Sequence, residues 1–399
     1  MNSFSNFSII LLSLFSINLT IDAAKPKKLI LVQVIFRHGE RAPILTYPKD
    51  PYKDHDWGVP LGTLTKRGIR QHVELGKALR KRYMIKKRFL SKTYKSSEII
   101  ARSTDKNRTI ESARANLRGL YKTNDISKIP IITTFFQIPK PWLGGRSCPK
   151  YVNLITTKKA SYEDTFYNKN KDFIEFLKKV TGMERMLMTD VSDLYDTFKV
   201  QRLLKCKLPK FLKKSKYYRL KYLTKQVYRL QDGLPAFNFP EDIQLMRLNE
   251  GPLLKNIIDN IDLKLKTYKK PKPVSGLNYQ YLHPQLKETT KYVSYSAHDY
   301  TIANIFALMG LKKFRNKKSL RIHFTATLFY ELYENSEGEY EIKILFSREG
   351  GKKILDITHK VKGCRKNKPC LFKDFKEALK DRIPKSVYTE CFVNSGVKN

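Results

Sequence analysis

Arg37-His38-Gly39-Glu40-Arg41-Ala42-Pro43 sets two arginines and a histidine within five residues. Guanidiniums at that spacing can fork onto phosphate oxygens, and a neutral imidazole between them is a nucleophile aimed at phosphorus. Gly39, without a Cβ, lets the backbone come close to a bound anion. A second cluster, Arg102-Ser103-Thr104-Asp105, adds a cation beside three residues of N-cap type. A third, His298-Asp299, puts an imidazole next to a carboxyl, which can serve as phosphate ligand and general acid.

Each cluster needs an element to hold it. Leu29 to Phe36 is aliphatic and β-branched with the single polar interruption Gln33, the pattern of a strand buried on both faces. Its end presents Arg37 and His38 at the carboxyl edge of a sheet, where open α/β sheets place ligands. Ile99-Ile100-Ala101 reads as a short buried strand, and the helix after it would aim its N-terminus at whatever Arg102 touches. Tyr292-Val293-Ser294-Tyr295 reads as a strand and Thr301–Leu311 as a helix beginning after His298-Asp299. Thr65 is a suitable N-cap for a helix reaching Tyr83, on which His72 reads as a packing or surface histidine.

Elsewhere, the Pro/Gly-rich stretch from Tyr47 to Gly62 reads as a long functional loop. Pro139, Pro141, Gly144 and Gly145 mark irregular chain, followed by helix-leaning segments Tyr167–Thr181, Arg185–Leu204 and Tyr217–Leu230. Pro252 suits the first turn of a helix Leu253–Leu263, and Lys269–Leu282 reads as a basic loop. Strands Ile322–Tyr333 and Glu339–Phe346 flank the hairpin turn Asn335-Ser336-Glu337-Gly338, and Phe372, Phe375 and Leu379 suggest a closing helix. No repeat, zinc-type Cys/His spacing or glycine-rich nucleotide loop occurs.

A chain of 399 residues with 41% hydrophobic and 12% aromatic residues suits a globular enzyme rather than a disordered chain. The apolar run Phe7–Leu19 reads as a secretory signal, too short to be a membrane span, with Ala23 and Ala24 near the cut. No later stretch reaches spanning length and the tail is polar, so a released protein without a membrane anchor is expected. Five cysteines fit an oxidising compartment, though spacing alone does not give their pairing. Asn107-Arg108-Thr109 is a glycosylation sequon inside the second cluster, where a glycan would crowd the site. The net charge of +41 favours nucleic acid, heparin-like glycans, acidic membranes or polyphosphorylated substrates, unless it is simply a solvated lysine-rich surface.

Three motifs, met in this order, resemble the signatures of the histidine acid phosphatases. They are Arg37–Pro43, Arg102-Ser103-Thr104-Asp105-Lys106-Asn107-Arg108-Thr109 with Ser112-Ala113, and Ser296-Ala297-His298-Asp299. Leu64-Thr65-x-x-Gly68 and the following Gln71-His72 resemble the family's first long helix. This branch of the histidine phosphatase superfamily includes prostatic, lysosomal and venom acid phosphatases. The resemblance implies an α/β, phosphoglycerate-mutase-like fold with a mostly parallel central sheet flanked by helices. It divides the chain into signal peptide 1–24, core 25–134 and 251–399, and a mainly helical cap 135–250.

By the same resemblance, His38 is the phosphorylated nucleophile, Asp299 the general acid, and Arg37, Arg41, Arg102 and His298 the phosphate ligands, with Arg108 structural. An Asp at 299, rather than Glu, favours the acid phosphatase branch over the inositol-polyphosphate branch. Cys148 pairs with Cys391 and Cys364 with Cys370, leaving Cys206 over because the family's third bridge lacks its other partner near Thr327. No cofactor or metal is expected. The implied activity is that of a secreted acid phosphatase acting on a small-molecule phosphomonoester or a phosphorylated protein. A basic anion- or glycan-binding protein on this scaffold, and a phytase or lipid-phosphate phosphatase, are the alternatives. Non-specific polyanion binding and a homodimer stay open.

Overall fold

The computed structural model describes residues 27–133, 148–269, 286–311 and 322–393. The apolar N-terminal run, Pro139 to Gly145, the basic loop beyond Lys269 and the last six residues lie outside them. Strand β1 (Lys28–Arg37) is followed by α1 (Lys66–Arg80), β2 (Ile99–Ser103), α2 (Asn107–Tyr121) and β3 (Ile131–Thr133). Four helices come next: α3 (Pro149–Thr181), α4 (Met188–Leu203), α5 (Lys214–Gln231) and α6 (Ile243–Asn249). Helix α7 (Gly251–Lys269), β4 (Tyr292–Ala297) and α8 (Asp299–Leu308) return to the sheet. Strands β5 (Thr327–Glu334), β6 (Tyr340–Ser347) and β7 (Ile354–Asp356) and helices α9 (Phe372–Leu379) and α10 (Val387–Phe392) end the chain.

The sheet order is β3-β2-β4-β1-β5-β6-β7. The first four strands run parallel, and β5, β6 and β7 each pair antiparallel with the strand before them in the sheet. Strand β6 therefore points the same way as β1, so that only β5 and β7 oppose the rest. Alternation on β1 shows why its sequence reads as continuously apolar. Leu31 and Ile35 enter one core with α7, α8 and α9, while Val32, Val34 and Phe36 enter a second with α1 and α2. Each fully buried aliphatic side chain contributes about 1.5–3 kcal/mol. The interruption, Gln33, is buried but satisfied: its amide donates to the Ile257 carbonyl (2.8 Å) and its oxygen accepts from Asn260 (2.9 Å).

A third apolar cluster draws on α3, α4 and α5, with Tyr47 from the long loop after β1. Helix α3 begins at Pro149, well before the Tyr167 start read from the sequence, and kinks at Asn170. Its first half buries little beyond Tyr151, Tyr162 and Phe166, too few to show the period, while Pro at the first turn sets its start. The Ile322–Tyr333 strand starts only at Thr327, and α8 begins at Asp299 itself. Disulfides Cys148–Cys391 and Cys364–Cys370 are formed, the first tying the start of α3 to α10, and Cys206 is free.

Candidate active site

Three neighbouring strands deliver the predicted residues to one edge. Arg37 is the last residue of β1 and pairs with Ala297 of β4, while Ser103 of β2 pairs with Ser296. Arg37-His38, Arg102-Ser103 and His298-Asp299 thus emerge side by side at the carboxyl ends of β1, β2 and β4. Backbone bonds continue past the strands: His38 N–H donates to Ala297 O (3.0 Å) and Thr104 N–H to Ser296 O (3.1 Å). The turn at Gly39 lies against the first turn of α1, where a Cβ on Gly39 would meet Gly68 O at 2.4 Å and one on Gly68 would meet Glu40 O at 2.0 Å. Both positions need glycine for this backbone contact. Thr65 caps α1 through the Gly68 N–H (3.1 Å) and fixes the same junction.

The His38 ring is 2% exposed. Its Nδ1 lies 2.8 Å from Gly39 O. A carbonyl only accepts, so Nδ1 carries the proton and Nε2 holds the lone pair. The ring stands edge-on to His298 at 5.7 Å between centroids. Burial holds the His38 pKa well below its ordinary value, helped by the charges of Arg37, Arg41, His298 and Arg108. His298 is lowered likewise by burial and then Arg108, with Asp299 opposing. Its Nε2 is 3.0 Å from Thr104 Oγ1, and its ring stacks on Tyr300 at 4.8 Å.

Arg37 donates to Ile322 O (3.2 Å), pairs with Asp299 (3.0 Å) and lies over the Phe324 ring (4.5 Å). Arg41 donates to Ala42 O (3.2 Å) and pairs with Asp196 of α4 (2.7 Å). Arg102 is buried beside them. Asp299 is the most open of the six, with 40% of its side chain exposed. Burial pushes its carboxyl up, but Arg37, then Lys199, Arg41 and His298 outweigh this and hold it well below the usual carboxylate range.

The geometry adds residues that the sequence reading missed. Asp196 anchors Arg41, and Lys199, one turn further along α4, acts on the Asp299 carboxyl. Arg108, read as structural, is the foremost charge at His298. His72 is fully buried beneath the strand end, where Nε2–H donates to Arg37 O (3.1 Å) and burial lowers its pKa to about 3. It acts as a neutral prop for the backbone of Arg37. Asn107 is exposed at the first position of α2.

A chain with this sheet and edge belongs to the histidine phosphatase superfamily (branch 2), which it matches over residues 28–347. Among curated proteins it is 29% identical to human lysosomal acid phosphatase over 397 residues, covering 96% of this chain and 85% of that one. It is equally 29% identical to rat prostatic acid phosphatase over 396 residues, covering 96% and 94%. The phytase of Citrobacter braakii has a similar fold, with TM-score 0.60 and 17% identity over 92% of this chain and 100% of that one. Among the described residues no helix is long and apolar enough to cross a membrane.

Proposed function

We propose that the chain is an acid phosphatase that hydrolyses phosphate monoesters through a phosphohistidine on His38. The observation that carries this reading is the Nδ1 contact with Gly39 O, which leaves Nε2 as the free lone pair amid Arg37, Arg41 and His298. Nε2 attacks phosphorus, the bond to the leaving oxygen breaks, and Asp299 gives that oxygen its proton. Water then attacks the phosphohistidine, Asp299 accepts a proton, and phosphate leaves. Arg37, Arg41, Arg102, His298 and the neighbouring Arg108 stabilise charge on the equatorial oxygens, preorganised by burial. The Nε atoms of Arg37, Arg41 and Arg108 are buried without hydrogen-bond partners, so these guanidiniums keep donors to give.

The charges of Arg37, Lys199 and Arg41 favour the ionised form of Asp299. A bound phosphoryl dianion shares Arg37 and sets negative charge beside the carboxyl, which raises its pKa so that it takes up the proton it must donate. Acid favours that uptake, while the depressed pKa of His38 keeps the nucleophile unprotonated there. The two disulfides and the apolar N-terminal run support passage through an oxidising secretory compartment. Within 135–250, helices α3, α4 and α5 share an apolar cluster, which supports reading that stretch as a cap over the sheet edge.

The test is hydrolysis of nitrophenyl phosphate from pH 3 to 8, with and without a chelator. Chelator-insensitive turnover peaking in acid is expected. Folded protein without turnover at any pH would overturn the reading in favour of an anion-binding protein.

A further inference from the structure

His298 is held by a line of hydroxyls that runs one way. Thr109, buried in the first turn of α2, places its Oγ1 2.8 Å from Lys106 O and 2.9 Å from Thr104 O. Carbonyls only accept, so the single proton of this hydroxyl points between them. Toward Thr104 Oγ1, 2.7 Å away, Thr109 Oγ1 then offers only a lone pair, and the Thr104 hydroxyl must donate to it. That uses the Thr104 proton, so His298 Nε2, 3.0 Å from Thr104 Oγ1, can only be the donor of their bond. Ser296 of β4 pins the far end of the line by donating from Oγ to Thr109 O (2.7 Å).

The consequence falls on the other ring nitrogen. With its proton on Nε2, a neutral His298 is left with a bare lone pair at Nδ1, which makes no hydrogen bond among the described residues. A lone pair repels phosphoryl oxygens, so His298 can ligate them through Nδ1 only as an imidazolium, protonated on both nitrogens. Burial, Arg108 of α2, and Arg37 and Arg41 at the end of β1 all disfavour that charge, with the Asp299 carboxylate opposing. His38, edge-on at 5.7 Å, completes the titratable groups around the ring. A phosphoryl dianion among these cations reverses the balance. The Tyr300 ring, within 10° of parallel at 4.8 Å, fixes the imidazole plane and offers a face suited to a cation.

We propose that Thr104 and Thr109 are positioning residues whose one-way relay commits His298 to Nε2–H, so that His298 takes up a proton together with the phosphoryl group. This rests on the phosphatase reading above. A proton from solvent binds Nδ1 as the anion enters and returns to solvent when phosphate leaves. No bond to phosphorus forms at His298, and the relay itself neither gains nor loses a proton.

The test uses sulfate, a dianion that does not itself titrate between pH 5 and 8. Its dissociation constant is measured by calorimetry across that range in the wild type, Thr104→Val and Thr104→Ser. Proton uptake at His38 and Asp299 is common to all three, so differences in slope report His298. One proton taken up with the anion weakens binding by about tenfold per pH unit above the pKa of the free group. The wild type and Thr104→Ser should therefore be steeper than Thr104→Val by about that factor, because the valine leaves the ring able to carry its neutral proton on Nδ1. Equal slopes in the wild type and Thr104→Val, with sulfate bound more weakly at every pH, would overturn the relay. Nitrogen-15 NMR of the histidine-labelled wild type tests it without a relay variant, the His298 signals being those lost in His298→Asn. The free protein should show the proton on Nε2, and the sulfate complex protons on both nitrogens; Nδ1–H in the free protein would overturn the proposal. Nitrophenyl phosphate turnover is measured alongside: its absence in the wild type would fail the phosphatase reading, whereas the sulfate slopes and the NMR judge the relay.

Discussion

Replacing Glu250 by Gln should stabilise the fold at neutral pH and change little in acid. Glu250 caps the C-terminus of α6 and is 1% exposed. Burial raises its pKa from 4.5 to about 8, with the Thr301 hydroxyl opposing and Asp232 adding to the rise. In the unfolded chain the proton leaves near the ordinary value, whereas the folded chain keeps it until about 8. Between these limits the folded state binds more protons, so stability falls as pH rises. Integrating that difference, the carboxyl costs about 3 kcal/mol at pH 7 and about 1 kcal/mol at pH 5. Gln does not titrate, so urea unfolding followed by intrinsic fluorescence should show a gain about 2 kcal/mol larger at pH 7 than at pH 5. An equal gain at both pH values, or none at pH 7, would refute this. Thr301 lies two residues after Asp299 on α8, so this titration takes place close to the site.

Two further substitutions separate roles at the sheet edge. Asp299→Ala should slow alkyl phosphates by about a hundredfold or more while costing nitrophenyl phosphate far less, because a good leaving group needs no proton; equal losses on both would remove Asp299 as the acid. Asp196→Ala leaves the buried Arg41 guanidinium without its anchor and should raise the inhibition constant for inorganic phosphate by about tenfold or more, with Asp196→Asn recovering most of it. Tighter phosphate binding in both would show that Asp196 competes for Arg41 rather than positions it.

What could be read in the sequence was set by how local its causes are. Strand β1 is legible because both faces are buried, and its end, with β2 and β4, puts the three motifs at one edge through ordinary parallel pairing. His72 is legible in retrospect, since it shares the face of α1 that buries Gly68, Leu75 and Leu79. Asp196 and Lys199 are not. Helix α4 buries residues on several sides, so no stripe marks which of its polar groups point at the sheet edge. Arg108 sits inside a recognised motif, but only the packing of α2 shows that its charge reaches His298. Glu250 gives no sign at all, because its burial depends on α8 arriving from some fifty residues later in the chain. The Cys148–Cys391 bridge, spanning a separation of 243 residues, came from the family resemblance and not from spacing.

On the proposed mechanism, His38 is phosphorylated during turnover. Rapid mixing with a phosphomonoester, quenching into alkali where an N–P bond survives, and peptide mass spectrometry would test it directly. A phosphoryl group is expected on the peptide carrying His38, formed within the first turnover and absent in His38→Ala along with activity. A phosphoryl group on another residue, or sustained turnover by His38→Ala, would contradict it.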